Sequence, residues 1–349
     1  MLFGTSWIED ERFSKEIRMA GAKQSTTRRR STRENGNVRA AISGGRAMAE
    51  DVIAFRKTHA RRRMAAERRV ARAATQRRAP EEPARIPAKT RALLGPPASS
   101  GVVMAEGDSW FDHPFHDVLQ MLEDDYLYDV ESVAHKGDCV EDMAHSGGQF
   151  EEFARRLEKL LRADKVPRAI LLSGGGNDIA GDEFPILLNH AASGLPTLNA
   201  DIVRGVIDVR LRSAYARILS GLTTIAKAYL NRPIPIVTHG YAYAVPDGRG
   251  FLGGFWLLPG PWLRPGFQKK GYADLRVNRA VVVDLIDRFN RMLEEVSASP
   301  QFAHVHYLNL RKTLKNDAAY KQHWANELHP SRAGFERVTQ EFAGLISTF

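Results

Sequence analysis

The stretch Ala169-Ile170-Leu171-Leu172-Ser173-Gly174-Gly175-Gly176-Asn177-Asp178 decides the fold that we expect for this chain. Its first half is a short apolar run, which is typical of a strand buried on both faces of a parallel sheet. Its second half is a glycine-bearing turn, and such turns lead from a strand into the next element. The stretch therefore predicts a buried strand whose carboxyl end presents polar groups.

Similar apolar runs alternate with helical stretches over residues 101–349. The expected strands are Val102–Ala105, Tyr128–Val133, Ala169–Leu172, Ile234–Thr238 and Val305–Leu308. The expected helices are Phe115–Asp124, Gln149–Ala163, Asp208–Leu230, Leu275–Val296 and Arg332–Ile346. This alternation predicts an α/β domain, a three-layer α/β/α sandwich with a mostly five-stranded parallel sheet, and such sheets bind ligands at the carboxyl ends of their strands.

The first 100 residues have a different composition. They carry 23 basic and 10 acidic side chains, against 27 and 31 in the rest of the 349 residues, so the formal charge of +9 comes from the amino-terminal part. Residues 1–45 are polar without a sustained period, and we expect disorder there. Residues 46–78 predict a basic helix, and prolines at 79–100 predict a linker. A basic, partly helical extension thus precedes the α/β domain.

Composition excludes several classes of protein. A single cysteine, Cys139, cannot build a disulfide framework. No run of about 18 uncharged apolar residues occurs, so we expect no transmembrane segment. Four acidic residues among the first 20 argue against a signal peptide, which favours a cytoplasmic protein.

Four polar segments follow predicted strands or precede the last helix. Taken singly, each is a common turn or helix cap. Together, and in this order, they resemble the four sequence blocks of the SGNH (GDSL-type) hydrolase superfamily over about residues 101–349. The segments are Gly107-Asp108-Ser109, Gly137-Asp138, Gly175-Gly176-Asn177-Asp178 and His329-Pro330.

The resemblance implies a flavodoxin-like SGNH hydrolase fold and a site that needs no cofactor. It implies that Ser109 is the nucleophile and that His329 takes its proton. The oxyanion hole would be the backbone N–H groups of Ser109 and Gly137 and the side-chain amide of Asn177. The residue types suit acyl transfer, which needs an activated hydroxyl and donors fixed where negative charge develops.

One position departs from the pattern of the superfamily. Asn326 stands three residues before His329, where these enzymes usually have an aspartate that holds the imidazole. Three arrangements follow. A neutral oxygen holds the imidazole of a Ser-His dyad; a carboxylate from elsewhere, with Glu327 and Asp317 nearest in sequence, takes the place of the aspartate; or activity is weak or lost. We favour an active enzyme.

A long aromatic segment, residues 241–272, follows the fourth strand and is expected on the same edge of the sheet as the site. Trp256 and Trp262 in it are candidates for substrate binding, as a wall for an acyl group or a stacking surface for a sugar ring; packing onto the body is the alternative. His113 and His116 could suggest a metal pair, but Pro114 breaks their helical spacing and no third ligand is evident, so we expect no metal.

The sequence therefore predicts an esterase, lipase or carbohydrate deacetylase acting on a small-molecule, saccharide or lipid ester. The alternative is a catalytically weak or inactive hydrolase fold that serves as a binding or adaptor protein, tethered by its basic tail. Residues 46–78 lack interleaved aromatics for base stacking, but they suit non-specific, salt-dependent contact with nucleic acid or an anionic membrane. The oligomeric state is left open.

Overall fold

The structure, a computed structural model, describes residues 36–47, 49–50, 53–54, 99–145, 148–251 and 259–349. Five strands form one parallel sheet with the order β2-β1-β3-β4-β5. They lie where the sequence predicted them: β1 Val102–Gly107, β2 Asp129–Ser132, β3 Ala169–Ser173, β4 Ile236–Gly240 and β5 Val305–Asn309. The apolar runs that predicted the third and fourth strands form β3 and β4. Both strands are buried along their whole length, as expected for strands inside a parallel sheet.

The strand order places a crevice beside the end of β1. The chain moves outward from β1 to β2 and then crosses back to β3 on the other side of β1. Ligands of open α/β sheets bind where the order reverses in this way, at the carboxyl ends of the strands. Gly107 at the end of β1 pairs with Ser173 at the end of β3, so the turns after these two strands begin side by side.

Helices cover both faces of the sheet and complete the expected three-layer architecture. Helices α1 and α8 pack on each other, and α5 contacts α2, α3 and α7. A short helix α4 runs through a π-helical segment, Gly205–Leu211, into α5, and another short helix, α6, lies in the aromatic segment. The bounds are α1 Val118–Tyr126, α2 Val140–His145, α3 Gln149–Arg162, α4 Ala200–Arg204, α5 Arg212–Leu230, α6 Arg264–Lys269, α7 Leu275–Ser297 and α8 Arg332–Ile346.

Two helix starts differ from the expectation, and capping side chains explain both. The helix expected from Phe115 begins at Val118, because the Asp117 side chain caps it by accepting the N–H of Gln120 at 2.8 Å. The helical run expected from Asp208 begins earlier, after Asn199, whose side chain accepts the N–H of Ile202 at 3.1 Å.

The amino-terminal extension corrects one expectation. Residues 36–47 are helical, so the disorder expected for residues 1–45 is wrong for residues 36–45. This N-terminal helix, residues 36–47, packs on α5: Ile42 is buried, and its carbonyl accepts the hydroxyl of Ser220 at 3.0 Å. Residues 1–35 and most of the expected basic helix at 46–78 and linker at 79–100 lie outside the described residues.

The aromatic segment at 241–272 is partly described. It contains α6, and residues 252–258, with Trp256 among them, lie outside the described part. Among the residues that the structure describes, no helix is long and apolar enough to cross a membrane.

Candidate active site

Ser109 lies on a tight turn that leaves β1, in the crevice between β1 and β3. The turn is held by the carboxylate of Asp108, which accepts the N–H of Trp110 at 3.0 Å and the hydroxyl of Ser173 at 2.8 Å. Asp108 is buried, whereas Ser109 keeps partial exposure. The acidic side chain of the Gly-Asp-Ser turn therefore fixes the backbone, and it leaves the serine hydroxyl available.

The hydroxyl of Ser109 meets the imidazole of His329, which comes from the loop before α8. The distance from Ser109 Oγ to His329 Nε2 is 2.7 Å, and His329 Nδ1 lies 3.0 Å from Asn326 Oδ1. Residues that are 220 positions apart in the chain are thus in hydrogen-bond contact. The structure brings together the three side chains that the resemblance selected.

The surroundings of Asn326 determine which nitrogen of His329 carries the proton. The Asn326 side chain also accepts the backbone N–H groups of Leu328 at 3.0 Å and of His329 at 2.8 Å. Because backbone N–H groups only donate, the atom they face is the amide oxygen. His329 Nδ1 must then donate to that oxygen, which leaves Nε2 as an acceptor for the Ser109 hydroxyl. A neutral amide therefore holds the tautomer that a general base requires.

Burial keeps this imidazole neutral. His329 is 7% exposed, and its ring lies 5.1 Å from the ring of His113 and 5.3 Å from that of Trp262. Desolvation, with a smaller contribution from His113, lowers the pKa of His329 to about 3. No carboxylate contacts His329 in the described part of the chain, so no negative charge offsets the cost of burying the imidazolium.

The two carboxylates considered as substitutes for an aspartate do not contact His329. Glu327 is fully buried and accepts four backbone N–H groups of the aromatic segment, from Gly248, Trp262, Leu263 and Arg264, at 2.7–3.1 Å. Asp317 accepts the N–H of Ala319 at 2.8 Å. The geometry matches the arrangement in which a neutral oxygen, that of Asn326, holds the imidazole.

The three groups expected in the oxyanion hole line one cavity with Ser109 and His329. Within the described part of the chain, the backbone N–H groups of Ser109 and Gly137 have no hydrogen-bond acceptor. Gly137 has φ +93°, a conformation that glycine adopts without strain, and an added Cβ there would meet no atom within 4 Å. The amide of Asn177 donates one hydrogen to the carbonyl of Asp138 at 2.9 Å, so a second hydrogen remains for a ligand.

Two cavities open from Ser109. The larger has a volume of about 500 Å³ and is lined by His113, Gly137, Trp262 and His329, among others. The smaller has a volume of about 90 Å³ and is lined mostly by apolar side chains from α7 and from the segments that follow β3 and β4. Ser109, Asn177 and Leu328 border both.

Sequence reasoning missed the role of Tyr241. Its hydroxyl donates to Asp108 through a short hydrogen bond and accepts the N–H of Gly176 at 3.2 Å. Tyr241 thus ties the turn of the nucleophile to the glycine turn that carries Asn177. Its position directly after β4 is the one sequence signal that could have placed it at this edge of the sheet.

His113, which was considered above for a metal pair, also lies at the site. It lines the larger cavity, and its Nε2 is buried without a hydrogen-bond partner among the described residues. Of the two tryptophans expected to bind substrate, Trp262 lines this cavity, whereas Trp256 lies outside the described residues.

Comparison with known proteins gives structural likeness only. No family model matches the chain, and no curated protein matches it. A candidate GDSL-like lipase from Parabacteroides merdae is 14% identical, with a TM-score of 0.42 over 72% of this chain and 97% of its own. An acetylxylan esterase from Geobacillus stearothermophilus, solved as a catalytic mutant, is 15% identical, with a TM-score of 0.40 over 71% and 94%.

A candidate SGNH hydrolase from Slackia heliotrinireducens is 14% identical, with a TM-score of 0.40 over 70% of this chain and 98% of its own. These identities concern the fold and carry no activity over to this chain. The similar structures include hydrolases of the GDSL and SGNH type.

Proposed function

We propose that the chain is a serine hydrolase that cleaves carboxylic esters through an acyl-enzyme on Ser109. The observation that carries the proposal is the 2.7 Å contact between Ser109 Oγ and the acceptor nitrogen of a neutral, buried His329. Donors suited to an oxyanion line the cavity that these two residues share. Acyl transfer needs this combination of an activated nucleophile and fixed donors.

The residues suggest the following steps. Ser109 Oγ attacks the ester carbon while His329 Nε2 takes the hydroxyl proton, and the carbonyl oxygen becomes an oxyanion. The N–H groups of Ser109 and Gly137 and the amide of Asn177 stabilise that oxyanion. His329 then gives its proton to the leaving oxygen, and the alcohol departs. Water, deprotonated by His329, attacks the acyl-enzyme, and the acid and free Ser109 are formed.

The presence of asparagine at position 326 affects the turnover rate that we expect. It fixes the orientation of His329, but its neutral oxygen stabilises the transient imidazolium less than a carboxylate does. In a serine protease, the exchange of aspartate for asparagine lowers turnover about 10⁴-fold, much of it through the wrong tautomer. Because the hydrogen bonds around Asn326 impose the productive tautomer here, we expect a smaller loss.

The proposal is tested with a fluorophosphonate probe and p-nitrophenyl acetate. We expect labelling and hydrolysis by the full chain, and we expect Ser109→Ala to abolish both. Ser193→Ala, which removes an exposed serine hydroxyl outside the site, is the matched control and should behave as the wild type. Hydrolysis that persists in Ser109→Ala would exclude this nucleophile.

The substitution of Asn326 for the usual aspartate also favours a second candidate function, a hydrolase fold that binds without catalysing. A folded wild-type chain that neither reacts with the fluorophosphonate nor hydrolyses the ester would support this alternative. The same measurements therefore separate the two functions.

A further inference from the structure

The two cavities at Ser109 differ in size, in lining and in their access to His329. The larger one contains the imidazole, all three donors of the oxyanion hole and a rim of aromatic rings. The smaller one lies on the side of Trp110 and Gly176, and His329 does not line it. An ester bound across Ser109 places its acyl chain in one cavity and its alcohol in the other.

The position of the base decides which part goes where. His329 must give its proton to the oxygen of the departing alcohol, and a general acid must lie within hydrogen-bond reach of that oxygen. Because His329 lines only the larger cavity, the alcohol belongs there. The acyl chain then points into the smaller cavity and stays there in the acyl-enzyme, while water enters from the side that the alcohol has left.

We propose that the smaller cavity is an acyl pocket that restricts the enzyme to short acyl groups, from acetyl to butanoyl, on a large alcohol. This inference rests on the proposed ester hydrolysis. A cavity of about 150 Å³ accepts benzene, with its six carbons. On that scale the 90 Å³ of the smaller cavity holds about three or four non-hydrogen atoms.

The wall of the acyl pocket is closely packed. Phe289 of α7 is 2% exposed and stacks on Tyr241, with 5.8 Å between the ring centroids. Its ring packs so closely on Gly175 that an added Cβ there would lie 2.5 Å from a ring carbon. Phe184 and Trp324, both buried, border the same pocket. Because the rings of Phe289, Phe184 and Trp324 are buried in this wall, a longer acyl chain cannot make room for itself by displacing one of them.

The larger cavity suits a bulky alcohol. Its volume is more than five times that of the acyl pocket, and Phe115 and Phe251 form a stacked pair on its wall, with 5.8 Å between the ring centroids. Phe115 is 52% exposed, so this pair offers an apolar face to a ligand. His113 adds a buried Nε2 without a partner in the described residues, which the alcohol can satisfy.

The acyl pocket is tested with p-nitrophenyl esters of two, four, six and eight carbons, all with the same leaving group. For the wild type we expect the highest kcat/KM at two to four carbons and at least a 50-fold lower value at eight. Ile286→Ala, which removes bulk from the wall, should raise the ratio of six-carbon to two-carbon kcat/KM at least 10-fold. Ala244→Leu, which fills the pocket, should lower the ratio of four-carbon to two-carbon kcat/KM at least 10-fold.

Ile202→Ala is the matched control, because Ile202 is also half-buried but borders neither cavity, and it should keep the wild-type ratios. Ratios within each variant are independent of the amount of folded enzyme. Two results would refute the acyl pocket while leaving the proposed function intact, provided that hydrolysis depends on Ser109. The first is an eight-carbon ester cleaved with the same kcat/KM as the two-carbon ester. The second is wild-type ratios in both wall variants. If the folded wild type cleaves no ester and no fluorophosphonate label appears, both fall.

Discussion

Asn326 Oδ1 accepts three N–H groups, two from the backbone and one from His329 Nδ1. The motif at 326–329 therefore builds a complete acceptor site around an oxygen that carries no full charge. A carboxylate in the same place would meet the same three donors and would also stabilise the imidazolium. Asn326 therefore orients the imidazole as the aspartate of a catalytic triad would, but it brings no negative charge to stabilise the imidazolium.

A negative charge at this position should change both rate and pH dependence. His329 acts as a base only when neutral, so its lowered pKa keeps the wild type active as the pH falls, and we expect kcat/KM to change little between pH 8 and pH 5. Asn326→Asp should raise the pKa of His329, move the acid limb of the pH profile toward the ordinary value near 6.5 and raise kcat more than about 10-fold.

The measurement is kcat/KM and kcat for p-nitrophenyl acetate as a function of pH. Asn316→Asp adds the same charge outside the cavities at Ser109 and should leave the profile unchanged. An Asn326→Asp profile that coincides with that of the wild type would show that the oxygen of residue 326 does not act on the imidazole.

Sequence reasoning could select Ser109 and His329 because a motif keeps its local spacing whatever the fold. It could not assign Tyr241 or Glu327, since their partners are set by tertiary contacts. Tyr241 lies 133 positions from Asp108, and Glu327 lies 65 positions from Trp262. The candidate role of Glu327 near the imidazole was wrong because its carboxylate accepts four backbone N–H groups of the aromatic segment and does not contact His329.

At the level of elements, Glu327 joins the aromatic segment to the loop of the general base. Trp262, Leu263 and Arg264 supply N–H groups at the start of α6, where a helix has no backbone acceptors of its own. A buried carboxylate satisfies these donors and interacts favourably with the positive end of the helix. Since Glu327 is two residues from His329, the same loop positions the base and the wall of the larger cavity.

Replacing this carboxylate should loosen the aromatic segment. Glu327→Gln keeps the shape but turns an amide NH₂ toward backbone N–H groups, so buried donors lose their acceptor, and we expect a loss on the order of 2 to 4 kcal/mol in the free energy of unfolding. The measurement is chemical denaturation, together with proteolysis within residues 241–272.

Glu123→Gln, at an exposed position of α1, is the control and should be neutral. Unchanged stability in Glu327→Gln combined with lost hydrolysis would instead indicate a direct part in the chemistry.

The N-terminal helix shows what the periodicity of the sequence concealed. Val38, Ile42, Ala49 and Ile53 recur at helical spacing and pack on the core, but Gly44 and Gly45 interrupt the apolar stripe. Small residues are needed there because an added Cβ at Gly45 would lie 2.1 Å from the carbonyl oxygen of Arg217. The two glycines that this close helix contact requires therefore made the segment resemble a flexible, polar stretch in the sequence.

At the scale of the whole molecule, the basic amino-terminal part is attached to the α/β domain through α5. With 3.6 residues per turn, Ser220, which bonds Ile42, lies about 140° around α5 from Tyr215, which donates to Gly174 of the glycine turn. The helix therefore docks on a face of α5 other than the one that supports the site. Contact of residues 46–78 with a polyanion stays a prediction.

A charge in this contact should release the extension without affecting catalysis. Ile42→Asp places a carboxylate in a buried apolar position, and we expect trypsin to cleave after Arg39 and Arg46 at least 10-fold faster, while hydrolysis of p-nitrophenyl acetate stays at the wild-type rate. Cleavage is followed by mass spectrometry.

Asn37→Asp, which adds the same charge at an exposed position of the same helix, should not change the cleavage rate. A parallel loss of hydrolysis in Ile42→Asp would mean that the extension supports the site.

The carboxylate of Glu327 also makes it possible to replace the segment between Gly248 and Trp262 with another sequence. It bonds Gly248 on one side and Trp262 on the other, so it clasps both ends of the intervening segment at a single point. A non-covalent clasp of this kind fixes the ends of a loop whatever lies between them, and the entropy of closing a loop grows only slowly with its length. Residues 250–261 are thus the natural cassette for grafting new alcohol specificity, because their replacement leaves the base in place together with Arg249, which also bonds the loop of the base.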